Sequence, residues 1–269
     1  MLRLLHTRLR QGLRTTSFPD GEVDLPPRFR GRPALDSTKC VDGCRACAEA
    51  CPTGAITTDP LRLDLGRCLF CPMCVEACPA GAIAFTEDHR LATRRRDDLV
   101  VDDANVLRLA TALDERSRRL FGRSLRLRQV SAGGCNGCET ELVALGNVVF
   151  DLARFGIQFV ASPRHADGIV ITGPVTRNME LALRKTWDAV PDPRIVIAVG
   201  ACAISGGPFA GSPEANDGVP PGIPVDLWVP GCPPHPLTIL DGLLRLLGRL
   251  EERRAGGKLA WGMGGHRSP

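Results

Sequence analysis

The sequence predicts two parts of different class: an α+β part built on paired cysteine runs, then an α/β part with a parallel sheet. Three observations carry this. Eight of the twelve cysteines fall in two tight runs, Cys40 to Cys51 and Cys68 to Cys78, with two or three residues between neighbours. Beyond residue 124, short apolar, β-branched runs alternate with helical stretches, the pattern of a parallel sheet covered on both faces. The last cysteines, Cys135, Cys138, Cys202 and Cys232, sit in Gly- or Pro-rich turns, and Cys135, Cys202 and Cys232 each follow one of those runs by a few residues.

At 269 residues the chain is long enough for two modest domains. Twelve cysteines without a secretory signal argue for metal rather than disulfides, and all twelve divide into three sets of four. The net charge is +4, and residues 1–34 alone carry seven Arg against three acids. Such a stretch suits a solvated face, anionic lipid or an acidic partner. With no Tyr and few aromatics, stacking on nucleic acid is excluded as a function. No apolar run reaches the length of a membrane span.

Taken in order, residues 1–17 place Leu2, Leu5, Leu9 and Leu13 on one helical stripe with Arg between. The lack of an unbroken apolar core argues against a signal peptide. A transit peptide fits the Arg and the missing acids. We favour a short amphipathic helix on a membrane surface or partner subunit, with a frayed terminal helix as the plain alternative. Residues 18–39, rich in Pro and Gly, are expected to lack regular structure.

The second run reads Cys68-Leu69-Phe70-Cys71-Pro72-Met73-Cys74-Val75-Glu76-Ala77-Cys78-Pro79, the spacing of a bacterial two-cluster ferredoxin. The first, Cys40, Cys44, Cys47, Cys51-Pro52, repeats it with one extra residue before Cys44. Both close on Cys-Pro and then Thr or Ala, Gly, Ala, Ile. In that fold the fourth Cys of each run serves the other cluster. Cys40, Cys44, Cys47 and Cys78 are therefore assigned to one 4Fe–4S cluster and Cys51, Cys68, Cys71 and Cys74 to another. The extra residue leaves open a three-iron cluster, or a fourth ligand other than Cys40. A helix is expected after Asp103 as its cap, carrying Val106, Leu109, Ala110, Leu113, Ser117 and Leu120.

Strands are expected at 125–130, 157–161, 168–172, 195–199 and 225–229, with helices over 139–153, 177–190 and 236–253. Ligands of such sheets gather at the carboxyl ends of the strands. Cys135, Cys138, Cys202 and Cys232 converging there would supply the four thiolates of a third 4Fe–4S cluster. Alone, Cys135 and Cys138 could equally be a redox pair or half a zinc site.

Several of these stretches resemble one family. They are Cys135-Asn136-Gly137-Cys138-Glu139-Thr140-Glu141, 161–167, 172–179, 200–207 and Val229-Pro230-Gly231-Cys232-Pro233-Pro234. The chain is similar there to the 20-kDa subunit of respiratory complex I and the small subunits of membrane-bound (group 4) nickel–iron hydrogenases. The Cys-x-x-Cys at 135–138 resembles the hydrogenase branch, formate hydrogenlyase included. Residues 1–90, with Phe29-Arg30-Gly31-Arg32-Pro33, resemble the eight-iron ferredoxin-like subunit of the same complexes.

The chain thus resembles a fusion, with a two-cluster ferredoxin domain followed by an α/β, flavodoxin-like iron–sulfur domain. Its expected divisions are an amphipathic segment and lead-in (1–35), the ferredoxin domain (36–90), a linker and helix (91–123), the 20-kDa-like domain (124–254) and a flexible tail (255–269). The resemblance implies an electron-transfer subunit with three 4Fe–4S clusters, a hydrogenase-type large subunit that holds the active site, membrane subunits, and a peripheral place on the inner face of the cell membrane.

Glu141 matches the family's acidic residue beside the proximal cluster. Its functional reading is proton handling; its plain one is a carboxylate favoured by the helix dipole. His165 and His235 are read as structural or as tuning the cluster, not as ligands. Two other functions compete: the same wire in a complex without nickel, coupled to quinone or ion transport, and a free two-domain carrier.

Overall fold

The computed structural model describes residues 2–21, 23–103 and 107–250. Helix α1 (Leu2–Gln11) comes first and buries none of its residues. The cysteine-rich region follows. Its strands are β1 (Pro33–Leu35), β2 (Ile56–Thr58), β3 (Leu61–Asp64), β4 (Ile83–Phe85) and β5 (Val100–Val101). Two short helices, α2 (Ala46–Glu49) and α3 (Met73–Ala77), each carry the third cysteine of a run, Cys47 and Cys74. β1 pairs antiparallel with β4, and β2, β3 and β5 form a second antiparallel sheet.

The lead-in does not lack structure. Pro33–Leu35 is a strand, and Phe18 is buried with its ring edge-on to His89 at 5.8 Å. Nor does the segment read as a linker stand apart: Val101 pairs with Leu63 of β3.

The helix expected after Asp103 starts eleven residues later. Helix α4 (Glu115–Phe121) is capped by Asp114, whose carboxylate accepts from the Ser117 N–H at 3.0 Å. Asp103 instead accepts from the backbone N–H and hydroxyl of Ser37. Upstream of α4 the backbone is spent on tertiary bonds: Ala110 N–H donates to Ala92 at 2.7 Å and Leu113 N–H to Leu246 at 2.9 Å. Helical spacing of Leu109, Ala110 and Leu113 is thus met by burial of an irregular segment. Val106 and the tail 255–269 lie outside the described residues.

The rest of the chain builds one parallel sheet from β6 (Leu125–Ser131), β7 (Ile157–Phe159), β8 (Gly168–Thr172), β9 (Ile195–Val199) and β10 (Leu227–Val229). Its order, β10-β9-β8-β6-β7, is the flavodoxin type of doubly wound sheet. Every residue of β8 and β9 is buried, which is why they read as unbroken apolar runs.

Helices α5 (Gly137–Ala144), α6 (Arg177–Ala189), α7 (Ala201–Ser205) and α8 (Pro236–Leu246) connect and cover the strands. α8 is buried along its whole length, and its Ile239, Leu240 and Leu243 join Val170, Ile197 and Val199 in one core. Truncating such a residue, Leu240→Ala for instance, costs about 2–5 kcal/mol.

Helix α5 stops short of the expected 139–153. After Gly146 the Asn147 side chain accepts from Val149 N–H at 2.8 Å and Phe150 N–H at 3.1 Å, a local turn that competes with helix.

Candidate iron–sulfur centres

The two regions are fastened at several points. Thr93 and Trp228 exchange backbone hydrogen bonds of 3.0 and 2.9 Å, extending the edge of the parallel sheet. Ser205 Oγ donates to the Gly66 carbonyl at 2.9 Å, and Arg96 pairs with Asp64 at 2.7 Å beside Gly66. Ala203 and Ile204 of α7 share a core with Leu63, Leu65, Cys68 and Cys74. The chain from 200 to 205 therefore supports both cysteine regions at once.

Around the first run, Cys40, Cys44, Cys47 and Cys78 line one cavity of about 730 Å³. Burial raises the Cys40 thiol, and the neighbouring Cys78 and Cys44 raise it further. Burial also raises Cys47, with Cys78 and Cys40 among its neighbours. Cys78 differs. Burial works to raise its thiol, yet the backbone N–H groups of Ala82, Ala80, Gly81 and Ile83 bring it below its ordinary value. The Ala82 N–H lies 3.3 Å from its sulfur.

The second set is drier. Cys68 is pushed up to about 12 by burial, then by Cys74, Cys51 and Cys71, and Cys74 to about 11 by burial, then by Cys71 and Cys51. The N–H of Ala55 reaches Cys51 sulfur at 3.2 Å, repeating the Ala82–Cys78 bond, and that of Phe70 reaches Cys68 at 3.3 Å.

The third set assembles at the carboxyl edge of the parallel sheet. Cys135 and Cys138 follow β6, Cys202 follows β9 and Cys232 follows β10. Cys138 and Cys202 stand in the first turns of α5 and α7; at α7 the N–H groups of Ala201 and Ala203 are spent on the Gly231 and Gly200 carbonyls, and the N–H of Cys202 itself works to lower its thiol. Burial raises Cys138, and Cys202, Glu139, Cys232 and Cys135 add to it. Cys202 is pushed up to about 11 by burial, then by Cys232 and Cys135.

Cys232 is exposed as a residue, yet protein atoms crowd its thiol, so burial is the first cause of its rise. Cys135 and then Cys71 add to that rise. Leu69 and Phe70 of the second run line the same cavity as Cys232, so the second and third sets are neighbours there. Gly200 has φ +91°, and a Cβ there would lie 2.4 Å from Cys138 sulfur, so only glycine lets the β9 loop pass this thiol.

These residues fit iron–sulfur clusters. The first set shares one cavity and the third one sheet edge, Cys51, Cys68 and Cys74 of the second pack in one core, and backbone N–H groups reach the sulfurs of Cys51, Cys68 and Cys78. Among the described residues no three His, Cys, Asp or Glu side chains converge on a single metal ion. A cluster asks for less convergence, because each thiolate reaches a different iron.

Glu141 is half-buried at the rim of a cavity of about 240 Å³, which Cys232, His235 and Phe70 also line. Burial alone raises its carboxyl. The carboxylate closest in effect to the thiols is one the sequence reading passed over, Glu139. It is buried, accepts from Ser131 and Thr172 hydroxyls at 2.7 Å each, and its charge bears on Cys138 and Cys202. No sequence pattern pairs it with those hydroxyls, which arrive from the ends of β6 and β8.

His235 caps α8, its Nδ1 accepting from Leu237 N–H at 3.2 Å between the rings of Phe29 and Phe150. Burial, with the His89 charge, pulls it down to about 4. His165 is exposed in the turn leading into the start of β8, away from the cysteine edge.

A flavodoxin-type sheet gathering cysteines at its carboxyl edge, packed against paired cysteine runs, defines a multi-centre iron–sulfur protein. The chain belongs to the family of the NADH ubiquinone oxidoreductase 20 Kd subunit, whose model matches residues 135–246, and a 4Fe-4S dicluster domain matches residues 39–82.

Among its relatives, the probable membrane-bound hydrogenase subunit mbhJ of Pyrococcus furiosus is 44% identical over 132 residues, 49% of this chain and 79% of that protein. Formate hydrogenlyase subunit 7 of Escherichia coli K12 is 41% identical over 56% of this chain and 62% of its own length. An NADH-quinone oxidoreductase subunit of Heliobacterium modesticaldum is 45% identical over 45% of this chain and 69% of its own.

Proposed function

We propose that this chain is an electron-transfer subunit of a membrane-associated hydrogenase or formate hydrogenlyase-type complex, holding three 4Fe–4S clusters in series. Cys40, Cys44, Cys47 and Cys78 would hold the first, Cys51, Cys68, Cys71 and Cys74 the second, and Cys135, Cys138, Cys202 and Cys232 the third. When bound, each cluster takes up and releases single electrons. The proposed ferredoxin unit is 36–90 and the sheet unit 124–254. A separate large subunit would hold the active site and cover the third set, at the inner face of the membrane.

The observation that carries this reading is geometric: Phe70 of the second run and Cys232 of the third set line one cavity, and Cys68 and Cys74 share a core with Ala203 and Ile204, the residues after Cys202. Exposure follows the same order: Cys40 and Cys44 of the first set and Cys135 of the third are exposed, while no cysteine of the second set is, Cys68 and Cys74 being buried. An electron path needs open ends for its partners and a covered middle. Gly200 leaves room for the third set, and the N–H groups of Ala55, Phe70 and Ala82 stabilise charge on the sulfurs of the other two.

Iron and sulfide assay of anaerobically purified protein tests the reading. About twelve iron per chain is expected; about eight would remove one set. A second reading keeps the wire in a complex without nickel, coupled to quinone or ion transport. Its support is the near-equal identity to hydrogenase and NADH-quinone oxidoreductase relatives, 44% and 45%. Nickel analysis of the intact complex separates the two.

A further inference from the structure

Helix α1 has no work to do inside this chain. Its leucines are almost bare: Leu2 is 84% exposed, Leu9 82% and Leu13, just past its end, 84%. Within the helix, Leu2, Leu5 and Leu9 form one stripe. Arg3 and Arg10 flank it on one side and Arg8 on the other, and no acid occurs before Asp20. A ten-residue helix is marginal in water by itself, so a surface outside the chain must favour it.

The root of the helix is fixed. Gly12 N–H closes the last turn on Arg8 at 3.2 Å. Four residues on, Thr16 N–H donates to Val149 at 2.8 Å, and Arg154 clasps the Thr16 and Phe18 carbonyls at 2.9 and 2.8 Å. Val148 and Val149 beside this root are exposed apolar residues as well. Phe150, next in the chain, stacks edge-on with His235, three residues from Cys232. The bare leucines therefore leave the body on the side of the third cysteine set.

We propose that α1 lies in the headgroup layer of an anionic membrane, Leu2, Leu5 and Leu9 in the acyl boundary and Arg3, Arg8 and Arg10 on lipid phosphates. Charge complementarity selects this occupant: every ionised side chain of the helix is cationic, and phosphate is what a guanidinium fork pairs with. Leu with flanking Arg is the make-up of interfacial helices. The cores of protein interfaces draw on aromatic residues and Met, and α1 has neither. The inference rests on the membrane-associated reading above and names the element that makes the contact.

The test uses the full-length, cluster-loaded chain, sedimented with vesicles of phosphatidylglycerol and phosphatidylcholine, or of phosphatidylcholine alone. Binding to the anionic vesicles only, weakened by salt, is expected. Leu5→Asp with Leu9→Asp should abolish it. Arg3→Gln, Arg8→Gln and Arg10→Gln together should weaken it about a hundredfold, at about fivefold per basic residue near an anionic surface.

These variants touch no buried residue, so iron content and visible absorbance should not move. Equal binding to both vesicles, binding that survives the leucine substitutions, or no binding except to a partner subunit would overturn the proposal. Low iron with vesicle binding intact would count against the three-cluster reading while supporting this one.

Discussion

In residues 40–78 each cysteine has others of its run within three or four positions, and in the proposed assignment only Cys51 and Cys78 cross to the other set. In the sheet region three loops, with more than sixty residues between Cys138 and Cys202, must arrive together. The first arrangement depends on short turns and on N–H bonds to sulfur such as those of Ala55 and Ala82. The second depends on the register of β6, β9 and β10 and on a thin passage at Gly200. A local site tolerates damage elsewhere in the fold; a site assembled at a sheet edge inherits every flaw in the sheet.

The sharpest way to break that contrast is Gly200→Ala. The added methyl meets Cys138 sulfur, and φ +91° strains any side chain. Iron content should fall by about a third while the absorbance of the other two sets stays. Full iron in this variant would show that the sheet edge is more forgiving than its packing indicates.

Next in size is Cys78→Ser. It should alter the spectroscopic signature of the set with Cys44 and Cys47, which line the same cavity, and spare that of Cys71 and Cys74. An effect confined to its own run would defeat the crossed assignment. Smaller again is Glu139→Gln. Removing a buried negative charge beside Cys138 and Cys202 should raise the midpoint potential of the third set, by on the order of 1 kcal/mol per electron, with no shift in the other two. Redox titration followed by electron paramagnetic resonance reads both.

The smallest effect concerns pH. His235 is held near 4 in the fold against 6.5 outside it. As pH falls from about 6.5 towards 4, the unfolded chain binds a proton that the folded chain refuses, so stability declines over that window. His89, also lowered by burial, acts in the same direction. Thermal melts of His235→Gln should lose less on going from pH 7 to pH 5 than those of the native chain; parallel losses would remove His235 from the account.

How much of this was legible follows from the same contrast. The spacing of Cys68, Cys71, Cys74 and Cys78 carries its own geometry, and 168–172 and 195–199 announce themselves because both faces of those strands are covered. The convergence of Cys135, Cys138, Cys202 and Cys232 on one edge was readable only through the order of strands and helices. Glu139 was not readable, because its partners Ser131 and Thr172 meet it only in three dimensions. The helix over 109–113 and the end of α5 were misread for one reason. Tertiary hydrogen bonds at Ala110 and Leu113, and the Asn147 side chain, took the backbone groups that helix periodicity had claimed.

The paired strands at Thr93 and Trp228, with Ser205 closing on Gly66, carry a kinetic consequence. Two separate carriers must meet before an electron passes, so their exchange is second order and slows on dilution. In the proposed three-cluster arrangement the hop between the second and third sets is fixed inside one polypeptide. Its rate should be first order, the same at nanomolar and micromolar protein, and indifferent to the ionic strength that governs encounters between charged proteins.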